Sequence, residues 1–209
     1  MSNQEISYSD LLKIVRQRGS LSRSVTALAG PPTAGKSTLA ERLCADLNAE
    51  DPGSAAILPM DGFHFDDAVL EARGWRDRKG APHTFDAAGF AHILGRLREN
   101  REDEIAVPVF DRDLEISRAG ARLIPRDVRH LIAEGNYLLL SDPPWSELAM
   151  HFDTTVLLDV PMEEIERRCL ERWRDLSGAE LEVKIHGNDL PNARLVLERS
   201  APPEFRMAD

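Results

Sequence analysis

The sequence predicts an α/β protein in three layers, with helices on both faces of a mainly parallel, five-stranded sheet. Three observations carry this. Short apolar runs alternate with helical stretches along most of the chain. The first run is joined to the first core helix by a glycine loop, Gly30-Pro31-Pro32-Thr33-Ala34-Gly35-Lys36-Ser37, of the pattern G-x-x-x-x-G-K-[ST]. Two later runs each end in a carboxylate, Asp61 and Glu134. In a parallel sheet the carboxyl ends of the strands line the ligand crevice.

The elements follow in order. Residues 6–18 form an amphipathic helix, with Leu11, Leu12, Ile14 and Val15 apolar and Gly19 as its stop. Residues 25–29 are the first core strand, and Leu39, Leu43 and Leu47 mark one face of the helix after the loop. A turn at Asp51-Pro52-Gly53 precedes a strand over 55–60. Residues 62–86, rich in aromatic, charged and glycine residues, read as an excursion beside a site. A helix over 87–99 and a strand over 105–109 come next, then a second excursion over 110–124. The expectation continues with a strand over 128–133, a short helix over 143–150 and a strand over 155–160. An Arg-rich helix over 162–175 and a mobile segment over 176–189 make a lid, and 194–197 is the last strand. The 209 residues are expected to form one domain.

Composition narrows the function classes. Hydrophobic residues make up 42% and charged residues 30%, enough to bury a core. The net charge of −10 argues against a nucleic-acid surface. Only four of the 26 cationic residues are lysine, and arginine suits fork-shaped recognition of phosphate. Cys44 and Cys169 have no metal-ligand spacing and read as small buried residues of a reducing compartment. No signal-like start and no long apolar run occur, so a cytoplasmic protein without membrane insertion is expected. Oligomeric state is not readable, a homodimer being one option.

The glycine loop carries the chemistry. Its glycines let successive backbone N–H groups turn toward phosphate oxygens, and the positive end of the next helix adds to that field. Residues Gly30, Pro31, Pro32, Thr33, Ala34, Gly35, Lys36, Ser37 and Thr38 would wrap the phosphates of ATP. Lys36 would reach the β- and γ-phosphates, and the Ser37 hydroxyl would hold Mg²⁺. Strand, loop and helix together indicate a P-loop nucleoside triphosphate hydrolase fold. Asp61 and Glu134 converge on the loop from neighbouring strand ends. Phosphoryl transfer wants one carboxylate to hold Mg²⁺ or its waters and another to accept a hydroxyl proton. A turn aspartate and a surface glutamate are the bland alternatives.

Further motifs extend the pattern: Pro59-Met60-Asp61-Gly62-Phe63-His64, Gly80-Ala81-Pro82-His83-Thr84-Phe85-Asp86, Val107-Pro108-Val109-Phe110-Asp111-Arg112 and Ala133-Glu134-Gly135-Asn136-Tyr137. With the loop, these resemble the phosphoribulokinase/uridine kinase family over residues 20–200. Within it the chain is most similar to small bacterial kinases labelled "putative fructose transport system kinase". The resemblance implies that Asp61 is the catalytic base and that Glu134 holds Mg²⁺ with Ser37. It implies lid arginines at Arg168 and Arg172, four apart on one helix face, closing on the phosphates. Arg167 is expected to be a surface residue. Asn192 falls where relatives pass the adenine. His64, Phe85, Asp86 and Arg112 fall where relatives place the acceptor, although Asp86 could equally cap the helix over 87–99 and His64 could simply pack. Arg118 is expected to pair with neighbouring acids.

The expected function is transfer of the γ-phosphoryl of ATP·Mg to a hydroxyl of a small metabolite, a sugar being favoured. A nucleoside or a pantothenate-like acid would use the same machinery. The rival from another class is a nucleotide-switched regulator, which has no use for a base at Asp61.

Overall fold

The computed structural model describes residues 4–208. Its strands are β1 (Gln4–Glu5), β2 (Ser24–Ala29), β3 (Ala55–Pro59), β4 (Glu104–Asp111), β5 (Ile116–Pro125), β6 (His130–Gly135), β7 (Thr154–Asp159) and β8 (Phe205–Ala208). Its helices are α1 (Tyr8–Gly19), α2 (Lys36–Glu50), α3 (Asp67–Ala72), α4 (Ala87–Glu99), α5 (Met162–Arg172), α6 (Gly178–Lys184) and α7 (Leu190–Arg199). Six strands form one parallel sheet in the order β1-β8-β7-β2-β6-β3, and β4 and β5 form a separate antiparallel pair.

The core strands β2 and β6 are buried at every position, as strands covered on both faces must be. Their side chains alternate between two cores. Val25, Ala27, Ala29, Leu131, Ala133 and Leu157 join Phe90, Leu94 and Leu97 of α4 on one face. Leu28, Ile132, Val156 and Leu158 join Leu11 and Val15 of α1, Leu43 and Leu47 of α2, and Ile165 and Cys169 of α5 on the other. Strand ends are thereby held in register. Pro59, Glu134 and Leu28 lie side by side across β3, β6 and β2.

Four expectations are corrected: the strand count, the hairpin region 104–125, the segment 176–189 and the segment 194–197. The sheet has six strands, not five, because β1 and β8 add to its β7 edge. The strand expected at 105–109 leaves the sheet and pairs with β5. Its half-buried alternation, with Ile105 and Val107 in and Glu104 and Ala106 out, suits an antiparallel ribbon with one wet face. The expected loop over 110–124 is largely β5, whose polar outer face hid it. The hairpin also guards the sheet: Arg122 donates to the Ile57 carbonyl on the open edge of β3, 2.5 Å away.

The third correction is the segment over 176–189, which is helical: α6 runs into a π-helical turn, Ile185–Asp189. The fourth is 194–197, which lies inside α7. There Leu190, Ala193 and Val196 are buried at helical spacing. Pro191 sits in the first turn, where its missing N–H costs nothing. Helical period over ten residues outweighed a four-residue apolar run. Among the described residues no helix is long and apolar enough to cross a membrane.

Candidate active site

The site forms where β2, β3 and β6 end. Between β2 and α2 the chain makes the glycine loop, with Thr33 at φ 62° and Gly35 at φ 86°. A side chain at Gly35 would meet no neighbour but would be held in a conformation that L-residues rarely adopt. No side chain caps the start of α2, so its free N–H groups are left to a ligand.

Lys36 is only 8% exposed and donates from Nζ to the Pro31 carbonyl at 2.7 Å. Burial pushes its pKa down to about 8, against the pull of the Glu134 and Asp61 charges. Ser37 donates to Glu134 Oε2 at 3.2 Å. Burial raises the Glu134 carboxyl, the Asp61 charge raises it further, and Lys36 opposes both. The buried Glu134 carboxylate and Lys36 ammonium thus meet the exposed Ser37 hydroxyl in one polar pocket. The Ser37 hydroxyl and the Glu134 carboxylate are hard oxygen donors at the mouth of the loop, a pair suited to Mg²⁺ completed by phosphate and water.

Asp61 opens the turn Met60–Phe63 that follows β3. One of its oxygens, Oδ2, accepts from Arg112 Nη2 at 2.8 Å. Gly62 is required by a close approach, since a Cβ there would lie 2.4 Å from the Pro108 carbonyl oxygen of β4. The hairpin that carries Arg112 is therefore docked onto the turn that carries Asp61.

Both residues line a cavity of about 540 Å³ that runs from the glycine loop to the hairpin. Lys36, Ser37, Glu134, His64, Phe85, Arg172 and Asn192 line it too. His64 stacks on Phe85 with ring centroids 3.9 Å apart and leans on Phe110 at 5.0 Å. Burial pushes the His64 pKa down to about 4, so the ring is neutral near pH 7. Asp86 does not line the cavity: it caps α4, accepting from the Gly89 N–H at 2.9 Å.

The two lid arginines part company. Arg172 lines the large cavity beside the Trp173 ring. Arg168 pairs with Glu164 at 2.6 Å, donates to the Thr33 carbonyl at 3.3 Å, and faces a second cleft. That cleft, of about 500 Å³, lies beyond the same loop and shares Gly35 and Thr38 with the first. Leu39, Leu158, Val160 and Met207 make it apolar, and Arg42 lies 3.7 Å over the Tyr8 ring at its rim. Asn192 does not line that cleft: it is buried in the wall of the first cavity, donating to Asn188 and accepting from Arg78. Arg167 pairs with Glu164 and Glu171, and Arg118 with Asp111, as expected.

Sequence reasoning missed Arg76, Lys79, Trp173, Lys184 and Asp189, all in the cavity wall. One signal was present. Lysine is scarce here, yet Lys36, Lys79 and Lys184 all line this cavity. Lys79 is held by Asp67 at 2.7 Å and by the Glu115 backbone carbonyl at 2.7 Å.

Fold and site together define a P-loop kinase. No family model matches the chain. Uncharacterized protein YggC of Escherichia coli (strain K12) is 37% identical over 182 residues, 85% of this chain and 74% of that one. A "putative uridine kinase" of Schizosaccharomyces pombe is 32% identical over 193 residues, covering 88% and 82%. The crystal structure of a "putative fructose transport system kinase" from Silicibacter sp. TM1040 superposes with a TM-score of 0.87 at 38% identity, covering 96% and 98%. The chain belongs to the phosphoribulokinase/uridine kinase family of P-loop kinases.

Proposed function

We propose that the protein transfers the γ-phosphoryl of ATP to a hydroxyl of a small polyhydroxylated metabolite, a sugar or sugar-like acceptor. The observation that carries this is Asp61. It stands at the end of β3, in one cavity with Lys36, with its second carboxylate oxygen left over from the Arg112 pair. A regulatory switch needs nucleotide contacts only, whereas a kinase needs such a base.

In this reading the triphosphate follows the loop backbone, with the base directed to the apolar cleft of Leu39, Val160 and Met207 rather than to Asn192. Ser37 and Glu134 would hold Mg²⁺, which when bound neutralises phosphate charge. The acceptor hydroxyl bonds to Asp61 and gives it the proton as its oxygen forms the bond to the γ-phosphorus. The bond from that phosphorus to the β–γ bridging oxygen breaks. Charge gathering on the departing and equatorial oxygens faces Lys36 and Arg172.

The cavity wall supports a polyol. Arg76, Asp77, Lys79, Arg112 and Glu115 offer many hydrogen bonds around the Asp61 end. A nucleoside base would want an open aromatic face, but His64 already covers Phe85. The likeness to the "putative fructose transport system kinase" agrees with this choice.

ATP consumption with Mg²⁺ tests it, against fructose and other sugars, sugar phosphates, uridine, cytidine and pantothenate, with a control lacking acceptor. One sugar-class acceptor should stimulate turnover. Asp61→Asn should lower that rate at least about 100-fold while ATP affinity stays near that of the parent. Full activity in Asp61→Asn would remove Asp61 from the mechanism.

A further inference from the structure

The lid arginine that faces the large cavity, Arg172, is the last residue of α5, so helix geometry beyond it does not fix its direction. Its neighbour does. The Arg172 guanidinium carbon lies 5.1 Å from the centroid of the Trp173 ring. The Trp173 indole N–H donates to Asp189 Oδ2 at 2.7 Å. Lys184 reaches the same ring, 4.6 Å from its centroid, and approaches Asp189 Oδ1 at 3.8 Å. Asp189 is 8% exposed, and burying a carboxylate is costly unless its oxygens are used.

Asp189 is itself fixed to the body of the protein. It ends the π-helical turn Ile185–Asp189, a rare helix type that recurs at functional sites. Within that turn Ile185 and Asn188 are buried. Asn188 donates to the Lys79 carbonyl at 2.8 Å, in the wall beside the acceptor end of the cavity, and accepts from Asn192 at 3.1 Å. The turn is thus tied to the acceptor wall through Asn188 and to the lid through Asp189.

Building on the kinase reading above, we propose that Asp189 and Trp173 are positioning residues. The π-helical turn pins the indole, and the indole holds Arg172 toward the transferred phosphoryl group. The turn therefore sets the distance between the acceptor wall and the cation that stabilises transfer. A purely structural tie would hold the lid together without favouring the transferring phosphoryl over the ground state.

The test is binding of Mg·ADP to the full chain with and without aluminium fluoride, a mimic of the phosphoryl in flight, by titration calorimetry. It needs no acceptor. In the parent, aluminium fluoride should tighten binding. Arg172→Ala, Asp189→Ala and Trp173→Phe should each lessen that tightening by about tenfold. Asp189→Asn, which keeps an oxygen to accept the indole N–H, should retain most of it. The double variant of Arg172→Ala with Asp189→Ala should be no worse than Arg172→Ala alone. Unchanged tightening in Asp189→Ala and Trp173→Phe, or losses that add in the double variant, would overturn the proposal. Should Asp189→Ala fail to fold, Trp173→Phe decides alone, since it keeps an aromatic face beside Arg172 while the indole N–H that meets Asp189 is lost. A parent that binds Mg·ADP but gains nothing from aluminium fluoride would refute the phosphotransfer reading, and this inference with it.

Discussion

His64 shows how one half-buried side chain couples site and stability. Desolvation lowers its pKa to about 4, Lys79 acts the same way, and the Asp61 and Glu115 charges oppose it. The unfolded chain holds that proton up to about pH 6.5. Between pH 6.5 and 4 the unfolded state binds more protons at this residue, so stability from His64 is present above pH 6.5 and lost as pH falls toward 4. The shift corresponds to at most about 3 kcal/mol. Urea unfolding of the parent and of His64→Gln across this range checks it. The parent's advantage should shrink as pH falls, and a constant difference would mean that His64 is not buried neutral. The same residue illustrates what a sequence conceals. A histidine between Phe63 and Phe65 suggested an acceptor pocket or simple packing, and the ring stacks on Phe85 at the wall of the cavity. Asp86 followed the bland alternative and caps a helix.

At the scale of elements, the Asp61 end of the cavity depends on the contact between the hairpin and the turn after β3. Asp61 and Arg112 come from these two pieces and meet at 2.8 Å. Gly62 lets the pieces touch, because a Cβ there would overlap the Pro108 carbonyl oxygen. Gly62→Ala should cost about 1–3 kcal/mol, since backbone must move to make room. It should also lower acceptor-stimulated turnover without altering ATP affinity. Urea unfolding together with the ATP assay reads both, and an unperturbed variant would show that the two pieces are not in contact. None of this docking was legible from local pattern. Strand β4 was recognised as a strand, but its partner β5 carries Ser117, Arg118, Arg122 and the run Ala119-Gly120-Ala121 on a mostly exposed face. Such a sequence resembles a loop until the antiparallel register is seen.

For the whole molecule, the glycine loop borders two clefts, and α5 reaches both. Arg168 belongs with the apolar cleft and Arg172 with the polar cavity. Arg168→Ala should weaken Mg·ATP binding, with Glu164 left without one of its two arginine partners. Arg172→Ala should slow turnover with little change in ATP binding. Calorimetric titration and a turnover assay separate the two, and identical profiles would contradict the division. Helical spacing alone would aim both arginines at the same phosphates. Only packing reveals that Arg168 lines one cleft and Arg172 the other.

The sequence by itself determined the strand-loop-helix unit, the burial of β2 and β6, and the carboxylates at Asp61 and Glu134. Each rests on local chemistry: glycines where the backbone must turn, apolar runs where both faces are covered, and acids where strands end. It also carried the family, through motifs spread along the chain. The tertiary structure alone decided the six-strand order, the hairpin that departs from the sheet, and the helical nature of 178–199. It alone brought Lys79, Trp173 and Asp189 to the cavity. These depend on contacts between residues distant in sequence, such as Asn188 with Lys79 and Arg112 with Asp61. Periodicity reports which face of an element is buried, and only packing reports what that face meets.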